Sequence, residues 1–319
     1  MHLIGASRRR APLSLPVTAG LALAMTACGQ ADAGTTAPEE SSAEVTVATA
    51  YGDVSVPASP ERVVTLAEPA LDVALAVGVK PVGTSASRGG EEPAAYLGKD
   101  AAGIPVVATV SEPNLEAIVE AAPDVILATA WLEEAQYESL AAIAPTVVPE
   151  APARGQWQAP LHTYAEALGA DEQLTERLDA VDERAAALAE EGSLDGTAAV
   201  IRWMATGPVL MNATNMPGTL LEAAGASPMQ AAVDLGGRPH SDPLSLENLV
   251  EIDADRLFLG TFGADGAAAL EAAEGEPAFA RLSAVESGAV SVVDGSVWSS
   301  ASGPIAAERV MDDIEAALG

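Results

Sequence analysis

The sequence contains little cysteine, histidine or positive charge. Its one cysteine excludes a disulfide framework, a thiolate zinc site, an iron–sulfur cluster and covalently attached c-type haem, because each of these needs several thiols. Three histidines leave few ligands for a histidine-rich metal site. The 15 Lys and Arg residues face 46 Asp and Glu residues, and the formal net charge of -31 opposes binding to phosphate backbones. Nucleic-acid binding is therefore excluded.

Apolar residues, in contrast, are abundant. They make up 49% of the chain and charged residues only 19%, so the chain has the apolar surface that offsets conformational entropy on folding. At roughly 150 residues per domain, 319 residues suffice for two lobes. We interpret most of the excess acid as solvated surface.

The first residues have the pattern of an export signal. Arg8, Arg9 and Arg10 precede an uncharged apolar run, Ala11–Ala27, which leads into the only cysteine, Cys28. This pattern resembles a bacterial lipoprotein signal, which is cut before a cysteine that carries lipid. The alternative is an uncleaved transmembrane anchor, but the run contains two prolines and falls short of the roughly 20 residues that a spanning helix needs. The choice between general secretory and twin-arginine export stays open.

Strand and helix patterns alternate in both halves of the chain. Arg62–Leu66 is a short β-branched run, Pro69–Val77 has helical spacing, and Lys80–Gly83 begins a second strand. The same order returns as a strand at Ala198–Arg202, a long loop and a helix at Thr219–Ala224. Such alternation predicts α/β lobes whose parallel sheets are flanked by helices.

One segment occurs twice. Asn114–Leu127 and Ser245–Phe258 each have an N-cap residue, a short amphipathic helix and a buried strand. Glu116 and Glu247 occupy the same position in the two copies, 131 positions apart. The repeat predicts two similar lobes.

A long helix is predicted between the lobes, over Asp171–Glu191. Its apolar residues recur at alternating steps of four and three, and at 1.5 Å per residue it spans about 30 Å. A coiled coil is the alternative, but about three heptads without complementary flanking charges are too few. We therefore predict a single long helix joining two lobes, in the order signal peptide (1–27), flexible tether (28–44), N-terminal lobe (45–170), linking helix (171–192) and C-terminal lobe (193–319).

Several segments, in this order and spacing, carry a family likeness. They are Arg62–Leu66 with Leu71–Gly83, Asn114–Glu116 before Pro123–Leu127, Ile143–Val148, Leu282–Val285, Gly288–Val290, Trp298 and Gly303–Pro304 with a closing helix. Together they resemble the substrate-binding proteins of ABC importers for iron–siderophores, cobalamin and haem. The resemblance covers about Ala58 to Leu318 and implies a ligand held in a shallow cleft between the lobes.

The carboxyl ends of the strands are where ligands bind in open parallel sheets. In the first lobe the predicted cleft loops are Thr65–Leu71, Thr84–Pro93, Thr129–Glu133 and Pro149–Gln158. In the second lobe they are Trp203–Gly218, Gly236–Asp242, Thr261–Gly266 and Trp298–Ser302.

Few basic residues fall near these loops: Arg88, Lys99, Arg154, Arg202 and Arg238. Members of the resembled family often hold the oxygen atoms around ferric iron with arginine, whose planar guanidinium suits that geometry. We favour Arg88 and Arg202, because one follows the second strand of the first lobe and the other ends the first strand of the second lobe. Arg238 is a further candidate. The alternative for each is a surface charge beside acidic residues.

Aromatic side chains also fall at predicted strand ends. Trp131, Trp203, Phe262 and Trp298 are candidates to pack against the apolar flank of a chelate, and Trp157 lies in another of the loops. Core packing is the alternative for each of them. The sequence has no convergence of direct iron ligands.

His240 is the one residue that argues for haem, as an axial ligand, although we favour a solvent-exposed loop histidine. Glu116 and Glu247 match the glutamates that, in the resembled family, dock the two lobes onto arginines of the permease. Acids favoured by a helix N-terminus are the alternative explanation, and the two are compatible.

The resemblance implies a lipid-anchored receptor on the extracytoplasmic face of the cell membrane. It would act as a monomer without a covalent cofactor, bind a ferric siderophore and deliver it to an ABC permease and its ATPase. A hydroxamate chelate is favoured, because the acidic field repels an anionic tris-catecholate. Haem or cobalamin is the alternative ligand. An enzyme is disfavoured, because nucleophile-elbow, dinucleotide and phosphate-loop motifs are missing from the sequence.

Overall fold

The computed structural model describes residues 43–88, 90–261 and 263–319. The predicted signal peptide, Cys28 and the tether up to Ser42 lie outside these residues. The described chain begins with an antiparallel hairpin of β1 (Glu44–Thr49) and β2 (Gly52–Pro57). Apolar residues of both strands are buried against the first parallel sheet, which follows directly.

The first parallel sheet is built from β3 (Val63–Thr65), β4 (Gly83–Ser85), β5 (Val106–Ala108), β6 (Val125–Leu127) and β7 (Thr146–Val147), in the order β5-β4-β3-β6-β7. Neighbouring residues of a strand pack on opposite faces: Val63 joins one core and Val64 the other. Its helices are α1 (Glu68–Ala76), α2 (Gly98–Ala101), α3 (Leu115–Ala121), α4 (Glu134–Ala141) and α5 (Ala159–Ala167), with a 3-10 helix at Ala95–Leu97. This sheet and its helices form the first lobe.

The predicted long helix is present as α6 (Asp171–Glu191), with the bounds that the sequence indicates. Its N-terminal half packs Leu174 and Leu178 into the core of the first sheet. Its C-terminal half packs Val181 and Ala185 into the core of the second sheet. One helix therefore contributes to the cores of both sheets.

The second sheet contains β8 (Thr197–Met204), β9 (Gly207–Leu210), β10 (Ser227–Pro228), β11 (Arg256–Thr261) and β12 (Val290–Asp294). Its parallel strands have the order β10-β8-β11-β12, and β9 pairs antiparallel with β8. The second lobe also contains α7 (Met216–Ala223), α8 (Gln230–Val233), α9 (Gly263–Glu274), α10 (Ser283–Ser287), α11 (Gly295–Ser299), α12 (Pro304–Leu318) and 3-10 helices at Leu246–Ile252 and Phe279–Arg281. The predicted α/β fold with parallel sheets is confirmed.

Strand β9 is a correction to the predicted long loop after the first strand of the second lobe. The strand β8 continues through Met204, the chain reverses over Ala205 and Thr206, and β9 begins at Gly207, whose φ of 116° suits glycine. The returning residues Val209 and Leu210 are buried, so pairing with β8 covers apolar side chains that a loop would expose.

The two copies of the repeat differ in their helices. In the first copy, Asn114 caps α3 by accepting a hydrogen bond from the backbone N–H of Ala117, at 3.1 Å. In the second copy the helix is a 3-10 helix, Asn248 has non-helical angles, and Ser245 makes no side-chain cap. The predicted N-cap is thus present in the first copy and wrong for the second.

Helix α12 lies beside α6 and is tied to it by ion pairs. Arg177 contacts Glu308, and Arg184 contacts both Asp312 and Glu315 at 2.9 Å. Two helices therefore run along the junction between the sheets. Among the helices of the described ranges, none is both long and apolar enough to cross a membrane.

Candidate ligand-binding cleft

A cleft of about 400 Å³ opens where loops of the two lobes meet. Its first-lobe wall includes Leu66–Pro69, Ser85, Ala86, Arg88, Val110, Thr129–Trp131, Pro152 and Trp157, together with residues of α5. Its second-lobe wall consists of Asn215–Pro217, Pro239 and Ser299–Ser302. Every predicted cleft loop except Thr261–Gly266 contributes, and Phe262, in that loop, lies outside the described residues.

Arg88 lines this cleft and is held by contacts with the start of α1. It follows β4, is exposed, and its backbone N–H donates a 3.0 Å hydrogen bond to Oε1 of Glu68. Burial raises the pKa of Glu68, and the N–H and the charge of Arg88 partly offset that rise. Glu68 therefore fixes the backbone of the loop that carries the guanidinium.

Arg202 comes from the second lobe, on β8, and is near enough to Arg88 to be affected by its charge. Burial lowers the pKa of Arg202, and the nearby charge of Arg88 lowers it further. Its Nε is buried and has no hydrogen-bond partner within the part of the chain that the structure describes. Arg202 is not itself a lining residue of the cleft, but the two positive charges come from opposite lobes and affect each other.

Neither Arg88 nor Arg202 forms an ion pair with any residue in the described ranges. Two neighbouring cations, one with an unsatisfied buried donor, repel each other. Anionic oxygen atoms placed between them would accept from both guanidinium groups and remove that repulsion. The arrangement is thus suited to a ligand that carries oxygen anions.

Two tryptophans provide aromatic surface at the cleft. Trp131 follows β6 and is 74% exposed, so its indole is available to an incoming ligand. Trp157 is half-buried, and its Nε1 donates a 3.1 Å hydrogen bond to Oγ1 of Thr219 on α7. Trp157 therefore links the first lobe to the second while also lining the cleft.

Trp203 and Trp298, in contrast, are core residues, which corrects their assignment to the cleft. Trp203 is 1% exposed and packs edge-on against Phe279, because β8 continues past the predicted strand end. Trp298 is fully buried in α11, stacks on Phe258 and donates from Nε1 to Asp313. Both indoles lie within the second lobe.

Arg238 and His240 also lie outside the lining of the cleft. Nη1 of Arg238 is 3.5 Å from Oδ2 of Asp242, in an exposed ion pair. His240 is half-buried, and its Nδ1 lies 2.7 Å from the carbonyl oxygen of Ser241. Only Pro239, between them, reaches the cleft, so the loop turns both polar side chains away from it.

Sequence reasoning did not single out several residues that the structure brings to the cleft. Glu68 and the segment Ser299–Ser302 line it directly. Arg154 does not line the cleft, but its Nη2 lies 3.8 Å from the position that a Cβ on Gly237 of the second lobe would take. All of these residues lie in loops that follow predicted strands. Their position after a strand was the sequence signal that could have identified them. In residues 43–88, 90–261 and 263–319, no three His, Cys, Asp or Glu side chains converge to hold a metal.

These features define an α/β binding protein with a ligand cleft between two parallel-sheet lobes. The sequence profile of the family described as periplasmic binding protein matches residues 63–297, and the chain belongs to this family. The resemblance to substrate-binding proteins inferred from the sequence is thereby confirmed.

Individual relatives agree with this placement. The "Probable siderophore-binding lipoprotein YfiY" of Bacillus subtilis is 32% identical over 304 residues, covering 92% of this chain and 93% of the relative. A siderophore periplasmic binding protein from the fuscachelin gene cluster of Thermobifida fusca is 26% identical, with a TM-score of 0.67 over 82% of this chain and 98% of its own. SirA of Staphylococcus aureus, solved with staphyloferrin B, has a TM-score of 0.74 at 24% identity, over 86% of this chain and 98% of its own, which shows the shared fold.

Proposed function

We propose that this protein is a lipid-anchored extracytoplasmic receptor that binds a ferric siderophore and delivers it to an ABC importer. The observation that carries the proposal is that Arg88, which lines a largely apolar cleft, and Arg202 from the opposite lobe supply neighbouring positive charges that form no ion pair in the described ranges. The siderophore-binding relative and the siderophore-binding protein of similar fold support the ligand class.

Two electrostatic effects bear on the kind of chelate. The net charge of -31 favours a neutral or cationic hydroxamate, as the sequence analysis expects. That field comes from exposed carboxylates, which salt screens beyond a Debye length of about 8 Å. Arg88 lines the cleft itself, and Arg202, which is half-buried, lies near enough to feel its charge, so we expect these local positive charges to outweigh the screened field. We therefore propose an anionic chelate, bearing carboxylate or catecholate oxygens, over a hydroxamate.

A panel titration tests both the class of ligand and the kind of chelate. Trp131 is exposed in the cleft, so a bound ferric complex is expected to quench tryptophan fluorescence. Ferric carboxylate, catecholate and hydroxamate siderophores, haem and cobalamin are each titrated into the protein. Saturable quenching by an anionic ferric siderophore at the lowest concentration supports the proposal. Tighter binding of haem or cobalamin would contradict it.

Delivery to the permease is proposed through Glu116 and Glu247. Both side chains are exposed, and each is the second residue of its helix in the two copies of the repeat. They are therefore free to pair with basic residues of a membrane partner, one from each lobe. An acidic residue near a helix N-terminus is stabilised by the helix dipole. We take the presence of glutamate at the same position in an α-helix and in a 3-10 helix as support for the additional docking role.

A further inference from the structure

The repeated helices expose the same residue types on both lobes. The first-lobe patch on α3 consists of Leu115, Glu116, Val119 and Glu120. The second-lobe patch on the 3-10 helix consists of Glu247, Val250 and Glu251, beside Leu246, which is partly buried against the core. Val119 is 58% exposed and Val250 is 74% exposed. Each patch thus presents a valine between two glutamates.

The agreement between the patches is not imposed by a common backbone. Helix α3 is α-helical, whereas the second copy is a 3-10 helix interrupted at Asn248. Ile118 and Leu249, at equivalent positions, are fully buried and anchor the two segments, and Ile252 is a second buried anchor in the second copy. In both copies the valine at the equivalent position, Val119 or Val250, nevertheless faces solvent.

Local stability does not account for these valines. Valine has a lower helix propensity than alanine or the charged residues that usually occupy exposed helix positions. An exposed valine also contributes no burial of its own to folding. One exposed valine alone is ordinary, but an exposed valine at the same position of the repeat in both lobes, beside exposed glutamates, favours contact with a partner.

The glutamates around the valines are available to such a partner. In the described part of the chain, none of Glu116, Glu120, Glu247 and Glu251 forms an ion pair. An apolar contact ringed by free carboxylates is complementary to an apolar contact ringed by basic side chains. Because the patches present the same residue types, a partner with two like sites would be complementary to both.

We propose that Val119 and Val250 are the apolar centres of the docking interface with the importer permease, each seated against one of two like permease subunits. The valines exclude water, so that the surrounding Glu–basic pairs act in a drier environment than exposed pairs do. This inference rests on the proposed function and assigns the residues that give its docking step affinity.

The test measures binding of the lipidated full-length protein to its permease–ATPase complex in lipid nanodiscs. Val119→Ser and Val250→Ser are each expected to weaken docking about tenfold, the factor for losing one buried valine, without changing affinity for the ferric chelate. Val292→Ser is the matched control, because Val292 is 61% exposed on β12 outside both patches, and it should dock normally.

The charge variants separate this inference from the function on which it rests. If Glu116→Lys with Glu247→Lys abolishes docking while both valine variants dock normally, the apolar centres are refuted and the receptor function stands. If neither set changes docking although ferric chelate still binds, the whole docking face lies elsewhere. The inference is upheld only if both valine variants weaken docking and Val292→Ser does not.

Discussion

At the scale of single residues, Asp72 ties the two lobes together. Its carboxylate lies fully buried on α1 but accepts hydrogen bonds from the backbone N–H groups of Ile305, at 2.8 Å, and Ala306, at 3.0 Å. These N–H groups belong to the first turn of α12, where helices leave donors unsatisfied. The hydroxyl of Tyr96 donates a third hydrogen bond, at 2.8 Å. One side chain of the first lobe thus caps the last helix of the second.

The pKa of Asp72 predicts a pH dependence of folding stability. Burial raises it from 3.8 to about 6, despite the three hydrogen bonds and the charge of Arg177. Because the folded state then binds a proton more tightly than the unfolded chain, this carboxyl contributes stability that falls as pH rises from about 4 to about 6. A shift of this size corresponds to roughly 3 kcal/mol.

Urea unfolding of the wild type and of Asp72→Asn at about pH 4.5 and about pH 7 checks this prediction. The variant lacks the titrating group, so the stability advantage of the wild type over it should shrink at the higher pH. An advantage that stays constant, or grows, would show that Asp72 does not titrate in this window.

The local sequence does not predict the contact between Asp72 and the start of α12. Asp72 stands in an apolar helix pattern, and its partners on α12 are more than 230 positions away. Gly303 is part of the same arrangement, because a Cβ on it would overlap the Asp72 carboxyl. Such a long-range cap becomes visible only when the ends of the chain are brought together.

At the scale of elements, α6 is shared between two cores. Leu178 and Val181 are almost fully buried, the first in the core of the first sheet and the second in that of the second sheet. Arg177 adds a bond to the carbonyl of Ala76 and a bidentate contact with Glu308. The lobes are therefore expected to unfold together.

Core truncations in α6 test this coupling. Leu178→Ala should lower the free energy of unfolding by about 2–5 kcal/mol, and Val181→Ala by about 1–3 kcal/mol, because each leaves a cavity in a packed core. Calorimetry should record a single transition that moves to lower temperature in both variants. Two separated transitions, only one of which moves, would show that the lobes unfold independently.

The elements also show how far the sequence predicts the structure. The apolar period of α6 and the β-branched runs of the first sheet depend on local pattern, and these were predicted. Strand β9, which folds back onto the neighbouring β8, and the inward turn of Trp298 towards Asp313 depend on tertiary burial and were missed. In the cleft, Arg88 and Trp131 follow from the strand-end rule. Two features depend on loop conformations, which no periodic sequence pattern predicts. They are the hydrogen bond between Glu68 and the backbone of Arg88, and the position of Arg238 outside the cleft lining.

At the scale of the whole molecule, the acidic chain is proposed to be held at the membrane through Cys28. We expect Cys28→Ser to be released from the membrane or to remain unprocessed, because lipid attached to this thiol would be the anchor. Cell fractionation with a mass measurement of the product checks both. Membrane retention of the variant with unchanged processing would refute the lipid anchor, and Cys28→Ala should behave as Cys28→Ser does.

The central claim is that Arg88 and Arg202, one from each lobe, hold the same ligand. The direct measurement is the Kd of Arg88→Ala, Arg202→Ala and the control Arg238→Ala for the ferric chelate that binds most tightly in the panel. The account predicts that each of the first two variants loses about 1–3 kcal/mol of binding free energy, the range for a charge-assisted hydrogen bond left unmade, while the control binds as the wild type does. Wild-type affinity in both Arg88→Ala and Arg202→Ala would contradict it.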